Sequence, residues 1–250
     1  MSEVKECCGV IGSIDERADA IDSIWLGLLA LQHRGQESNG VYTFDGKRFY
    51  KRKELGLLDG PEAFSNLKGQ VGIGHVRYST VGEAAEKMLG YGASIAENFA
   101  QPFFVDYQRK GMALCHNGNI VNNVDLARYL LSSGIFLASS CDAEIMLKML
   151  VLELTATKDL EESVRNCMGR FEGAYSTTIV TGEGEIMVFR DPFGFRPLCY
   201  GVTEELKMAA SESVALNVNR IDLTGDVKPG EMIVFKQGEK IQRKQIVPCK

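Results

Sequence analysis

Apolar positions recur along the chain at two spacings, and the switches between them mark out the elements. The opening CGVIG reads as a buried strand. Ile21, Ile24, Trp25, Leu28 and Leu29 then fall at helical spacing, in a pattern that stops at Gly35. Short strand signals joined by turns follow. VYTF-DG-KRFYKR carries the Asp-Gly dipeptide of a tight two-residue turn. IVTGEGEIMVFRD and MIVFKQGEKIQ repeat the scheme with Gly-containing turns, which predicts antiparallel pairing. VDLARYLL, ending at Gly134, AEIMLKMLVLEL and DLEESVRNCM predict amphipathic helices. Strands lead, helices cluster in the middle and strands finish. That order predicts an antiparallel α+β fold with helices on sheet faces rather than a doubly wound parallel sheet. No repeat, low-complexity stretch or linker interrupts it, so the chain reads as one domain.

Two stretches fit neither period. Glu83 to Glu97, EAAEKMLGYGASIAE, has no sustained periodicity, and a loop of this length is usually functional or disordered. The basic run from Lys47 to Lys53 interleaves Phe49 and Tyr50, and its alternation reads as the solvated face of a hairpin rather than a nucleic-acid patch.

Composition narrows the class. Apolar residues make up 45% and charged residues 24%, ordinary globular values. A net charge of -5 argues against nucleic acid or an anionic membrane as the main partner. No basic-then-apolar leader and no run of about 18 apolar residues occurs, so neither export nor membrane insertion is expected. The seven Cys are scattered without a CxxC pair, which predicts a reduced, cytoplasmic protein.

The chemistry lies in short polar-Gly clusters. Each of the three His sits in one: LQHRGQES (His33), GIGHVRYST (His75) and CHNGN (His116). Each cluster offers a single His, so no metal site is expected. Arg77, near the end of a predicted strand, can clamp a carboxylate through two parallel hydrogen bonds or serve only as an edge-strand ion pair. Asn117-Gly118 reads either as a turn or as an amide and an unobstructed backbone N–H, the parts of an oxyanion hole. Asp142, just before a predicted helix, is an N-cap or a counter-ion for a ligand ammonium. Together these suit an amino acid whose side-chain carbonyl is attacked, with a Cys as nucleophile. If MSEVKEC is removed, Cys8 becomes the first residue and its α-amine, with a reference pKa of about 8, can take the thiol proton.

The motifs also occur in a known order. Cys8-Gly-Val-Ile-Gly, LQHRGQES, GHVRYST, ENFAQPF, HNGNIVN, CDAE, FEGAYS, DPFGFRPL, ASES and KPGE resemble the glutaminase domain of the amidophosphoribosyltransferases, a class II glutamine amidotransferase of the N-terminal-nucleophile hydrolase superfamily. The resemblance covers essentially the whole chain. It implies a four-layer αββα sandwich of two antiparallel sheets between helix layers, with residues 1–7 a propeptide and 8–250 the glutaminase domain. It implies hydrolysis of glutamine to glutamate and ammonia through a γ-glutamyl thioester. Cys8 would be nucleophile and base, and Asn117 and Gly118 the oxyanion hole. Arg77 would hold the α-carboxylate and Asp142 the α-ammonium, with Tyr78 and His75 beside the substrate and Arg34 in support. No cofactor is expected in this domain.

The chain departs from the family pattern in three places. Cys141-Asp142-Ala143-Glu144 stands where Ser-Asp-Thr-Glu is usual, which removes a hydroxyl near the ammonium site. The loop from Val81 to Glu97, the expected lid over glutamine, is longer than usual. The chain ends at VPCK where the family continues into a phosphoribosyltransferase domain. Cys249 falls near the position of an iron–sulfur ligand in some members, but one Cys cannot hold a cluster and it reads as inert. The expected partners are L-glutamine and a phosphoribosyltransferase domain or subunit as ammonia acceptor, through which the ammonia serves phosphoribosylamine formation in purine biosynthesis. A homo-oligomer stays open. The alternative is a stand-alone regulatory or glutamine-binding subunit without purine-pathway activity.

Overall fold

Alternating positions become strands in the computed structural model of the protein, which describes residues 8–78, 99–108 and 110–250. The strands of the first half are β1 (Gly9–Asp15), β2 (Ser38–Phe44), β3 (Phe49–Leu55), β4 (Val71–Arg77), β5 (Phe103–Val105) and β6 (Met112–Ile120). The second half adds β7 (Gly173–Thr181), β8 (Ile186–Arg190), β9 (Cys199–Val202), β10 (Leu206–Ala210), β11 (Gly225–Asp226), β12 (Glu231–Phe235) and β13 (Gln242–Gln245). The helices are α1 (Ile21–Ala30), α2 (Asn123–Ser132), α3 (Asp142–Thr157), α4 (Leu160–Arg170) and the short α5 (Val214–Val218).

The strands form two sheets, and neighbours within each run antiparallel. The seven-stranded sheet has the order β11-β9-β10-β1-β4-β2-β3 and the six-stranded sheet the order β13-β12-β8-β7-β6-β5. Three apolar clusters glue the layers. Val10, Ile14 and Ile73 of the first sheet meet Ala113, Val180 and Val188 of the second. The outer face of the first sheet packs Ile11, Val41 and Val76 against Ile24 and Leu28 of α1 and Leu216 of α5. The outer face of the second packs Leu114 and Ile179 against Met146 and Leu150 of α3 and Val164 of α4. Three interlayer cores make four layers, the expected α+β sandwich. Each fully buried Ile or Leu contributes about 1.5–3 kcal/mol of transfer free energy, so these seams hold the layers together.

Local signals explain most element ends. Asp159 caps α4, its carboxylate accepting the Glu162 N–H at 2.8 Å, as the DLEE run implies. One sequence expectation is corrected, and two of the alternative readings fall away. In the β2–β3 hairpin the last ladder pair is Phe44 with Phe49, and the Asp45 N–H donates to the Arg48 carbonyl. The residues at the tip are therefore Gly46 and Lys47, and the Asp45 carboxylate accepts the Lys47 and Arg48 N–H groups. Asn117-Gly118 is not a turn, because β6 runs through it to Ile120. Asp142 is the first residue of α3 and Cys141 its N-cap, and the Asp142 carboxylate is engaged elsewhere. The segments 1–7 and 81–97 lie outside the described residues.

Candidate active site

One end of the space between the sheets opens into a cavity of 150 Å³, and most of the residues expected to carry chemistry line it. Cys8, Arg77, Tyr78, His116, Gly118 and Asp142 form its walls, with Phe99, Gln101 and Cys141 among the others. Cys8 precedes β1, whose Gly9 pairs with Val76 of β4, so the thiol and the end of β4 arrive side by side. The Cys8 thiol contacts the Tyr78 carbonyl at 3.6 Å. Gly35 permits the close approach at this corner, since a Cβ there would lie 2.6 Å from the Arg77 carbonyl carbon.

Arg34 stands behind the nucleophile. The residue is 4% exposed, and its Nε–H donates to the Cys8 carbonyl at 2.7 Å. Its other arm pairs with Glu212, which also meets His33 Nε2 at 3.2 Å. Burial raises the Glu212 carboxyl, but Arg34 and then His33 outweigh it and hold the group below the usual carboxylate range. Other thiols are poor competitors for nucleophile. Burial pushes Cys115, Cys199 and Cys141, which shares the cavity, up to about 12, so all three stay protonated near neutral pH.

Asn117 and Gly118 come from the second sheet. The Asn117 side chain is fully buried, and among the described residues neither its nitrogen nor its oxygen has a hydrogen-bond partner. Such an orphaned amide is unusual and costs on the order of 1–3 kcal/mol unless something else satisfies it. Gly118 has φ +154°, and a Cβ there would lie 2.0 Å from the Ala174 carbonyl oxygen, so the position requires glycine. The strand is braced from behind. Gly118 pairs with Tyr175, whose N–H donates to the Asp191 carboxylate at 3.2 Å. The same carboxylate accepts the Phe193 and Gly194 N–H groups, and Arg190 ties the turn through the Arg196, Gly194 and Val227 carbonyls. DPFGFRPL is thus a self-supporting buttress behind the Asn-Gly strand.

Asp142 accepts from several sides. Its Oδ1 lies 2.8 Å from His116 Nε2 and accepts the Ala143 N–H at 3.0 Å, while Oδ2 accepts the Ile120 N–H at 3.3 Å. Burial raises this carboxyl, but His116 and the two N–H groups more than offset it, and the net direction is downward. Ala143 lies fully buried in the core between α3 and the second sheet, so the hydroxyl absent from this position would face apolar neighbours. Glu144 instead organises the loop before α3 by accepting the Ala138 and Ser139 N–H groups at 2.8 and 2.7 Å.

His75 is corrected. It is expected beside the substrate, but it is 0% exposed and, like Asn117, is not among the residues that line the cavity. On β4 it shares the face of Arg77 two residues deeper, and its Nε2 lies 3.2 Å from the His116 carbonyl. Sequence reasoning missed Glu212, Phe99 and Gln101, and assigned no role to His116. Glu212 lies in the quoted ASES and Gln101 in ENFAQPF, so their motifs were visible although their contacts were not. The Arg77 guanidinium lies over the Phe99 ring at 5.6 Å and bonds Glu37 at 3.1 Å.

A cavity walled by the Cys8 thiol, a guanidinium, a carboxylate and a strand glycine, with the buried Asn117 amide next to that glycine, can hold an α-amino acid and attack its side-chain carbonyl. Among the described residues no three His, Cys, Asp or Glu side chains gather to hold a metal ion, and no helix is long and apolar enough to cross a membrane. Comparisons with known proteins agree in kind. The family model for the glutamine amidotransferase domain matches residues 93–218. The chain is 41% identical over 241 residues to the amidophosphoribosyltransferase of Methanocaldococcus jannaschii, covering 95% of this chain and 49% of that one. It is 35% identical to the Bacillus subtilis enzyme, covering 97% and 50%. The solved structure of B. subtilis glutamine phosphoribosylpyrophosphate amidotransferase, complexed with ADP and GMP, superposes with a TM-score of 0.82 at 31% identity, over 96% of this chain and 49% of that one. The chain spans about half the length of the curated relatives it matches.

Proposed function

The chain belongs to the glutamine amidotransferase domain family, and from that premise we propose that it hydrolyses L-glutamine to L-glutamate and ammonia with Cys8 as nucleophile. Residues 1–7 are removed, and residues 8–250 form the glutaminase domain. The freed α-amine of Cys8 takes the thiol proton. The thiolate adds to the γ-carboxamide carbon, and the negative charge gathers on its oxygen. The Asn117 amide and the Gly118 N–H receive that charge. The C–N bond then breaks, ammonia leaves with the proton held by the amine, and Cys8 carries a γ-glutamyl thioester. Water adds to the same carbon and regenerates the thiol with release of glutamate.

Arg77 grips the α-carboxylate and Asp142 the α-ammonium, with Tyr78 beside them. Arg34 fixes the Cys8 carbonyl and so the direction of the thiol. No step calls on a cofactor. A phosphoribosyltransferase domain or subunit receives the ammonia for phosphoribosylamine formation, in the cytoplasm, where a catalytic thiol stays reduced. The observation that carries this reading is the Asn117 amide, buried and without a hydrogen-bond partner among the described residues, next to Gly118 on the wall of a cavity shared by Cys8, Arg77 and Asp142. A buried donor without a partner is what a transient oxyanion needs.

The test uses a diazoketone analogue of glutamine, which alkylates a thiolate placed at the γ-carbon. Peptide mapping should find the adduct on Cys8, and glutamate release should cease in step with labelling. Labelling of another Cys, or full labelling with undiminished release, would refute the assignment.

A further inference from the structure

The basic run of β3 does not lie wholly in solvent. Lys53 pairs in register with Gly40 of β2, and the backbone at residues 100–101 crosses this spot so closely that a Cβ on Gly40 would lie 2.2 Å from the Gln101 carbonyl oxygen. The Lys53 ammonium donates to the Ala100 carbonyl at 2.7 Å and lies 4.9 Å from the centre of the Phe103 ring. The segment it holds carries two walls of the cavity. Phe99 lies under the Arg77 guanidinium, and the Gln101 side-chain oxygen accepts the His116 N–H at 2.8 Å. His116 in turn meets Asp142. One cation on the outer strand of the first sheet therefore sets the position of groups beside both proposed ends of the glutamine backbone.

We propose that Lys53 is a positioning residue for glutamine, which through its charge-assisted bond to the Ala100 carbonyl holds Phe99 and Gln101 against Arg77 and His116. This rests on the glutaminase reading. A protonated amine donates a stronger bond than a neutral one, so the clamp depends on the proton. Burial, with Lys51 of the same strand next, brings the Lys53 ammonium down to about 8. The groups facing it from the elements around it are Cys141 and Glu144 at the start of α3, Cys115 on β6 and His75 on β4. The clamp is thus engaged at neutral pH and released in mild alkali.

Glutamate release measured against glutamine concentration and pH tests this. At neutral pH, Lys53→Met should raise KM about tenfold and leave kcat within about twofold, because the lost bond shapes binding rather than charge development. Lys53→Arg, charged at every accessible pH, should keep a low KM and lose the component of its rise centred near about pH 8. The unmodified chain supplies a reading that needs no substitution. By reciprocity, an unreactive glutamine analogue must raise the Lys53 pKa when it binds, seen in the NMR titration of the Lys53 Cε signal. An unchanged KM in Lys53→Met, the same alkaline rise in Lys53→Arg, or an unmoved Lys53 titration overturns the proposal. Absence of glutamate release from the unmodified chain would instead overturn the glutaminase reading.

Discussion

Arg34 donates from Nε to the carbonyl of Cys8 at 2.7 Å, across 26 residues of sequence. The contact turns a local charge pattern, HRGQE, into a buried strut. Arg34 is held from the far side by Glu212, so the Cys8 carbonyl is anchored to a fixed ion pair rather than to a mobile side chain. Fixing the carbonyl fixes the direction from which the thiol leaves the backbone. Misplacing a reacting atom by even about 1 Å is costly, so this strut matters to turnover more than to binding.

Arg34→Lys should therefore lower kcat for glutamine hydrolysis by about tenfold or more, with KM little changed, because an ammonium cannot reproduce the guanidinium's fork. Glu212→Gln should move kcat in the same direction by less, since it removes the charge but keeps a hydrogen-bond acceptor beside Arg34. Steady-state glutamate release reads both. A rise in KM at constant kcat in either variant would assign Arg34 to substrate binding.

Substitutions at Arg77 and Asn117 should split in the opposite sense to each other. A carboxylate clamp acts alike in the ground and transition states, so Arg77→Leu should mainly raise KM. Asn117→Ala removes one donor to the developing oxyanion and should lower kcat by roughly a hundredfold or more. It also removes an orphaned buried amide, so its thermal stability should hold or rise despite the loss of activity. Reversed kinetic patterns would exchange the two roles, and strong destabilisation by Asn117→Ala would mean the amide is already satisfied.

The periodicities of Ile21, Ile24 and Leu28, and the alternation along VYTF and IVTG, carry the fold because they report which side of an element is buried. That logic fails where a residue's partner is remote. Asn117-Gly118 looks like a turn locally, yet nine ladder pairs between β6 and β7, from Met112 to Ile120, keep the strand extended through it. Lys53 alternates like its solvated neighbours, but the crossing backbone at Ala100 covers it. His75 stands beside Arg77 in GHVRYST, and only the depth of β4 between the sheets separates a buried support from a cavity wall. Cys8, Arg77 and Asp142 were legible as parts of a site because their chemistry is complementary to one ligand. Glu212 was not, because a carboxylate in ASES has no distinguishing local pattern.

Cleavage before Cys8 is required by the proposed α-amine mechanism. Cys8 has φ +51°, a left-handed conformation that costs a residue with a side chain about 1 kcal/mol or more. The α-amine that would take the thiol proton exists only once the 7–8 bond is cleaved. The active protein should therefore begin at Cys8, as intact mass and N-terminal sequencing would read. Cys8→Ala should abolish hydrolysis, whereas Cys7→Ala should leave it intact once cleavage occurs. Full activity in a chain that still carries Met1 would end the α-amine mechanism.

His75 should make the fold acid-sensitive in a window of its own. Burial, then the charges of His116 and Arg77, bring its pKa down from 6.5 to about 3, so it is neutral in the folded protein through most of the acid range. In the unfolded chain it takes up a proton near the ordinary value. Between those two pKa values the unfolded state binds more protons, so stability falls as pH drops from about 6.5 toward about 3, by a few kcal/mol in all. Above about 6.5 His75 contributes no pH dependence. Asp142 and Glu212, whose pKa values are lowered from carboxylate values, lose their contributions only at more acid pH. Denaturant unfolding of the unmodified chain should thus show a decline beginning near about pH 6.5, before carboxylates titrate. His75→Gln, which can still donate toward the His116 carbonyl, should flatten that upper part of the decline and make the lower part, down to about pH 3, shallower by the same His75 contribution. Parallel curves for the two proteins between about pH 6.5 and 5 would show that His75 is not held neutral.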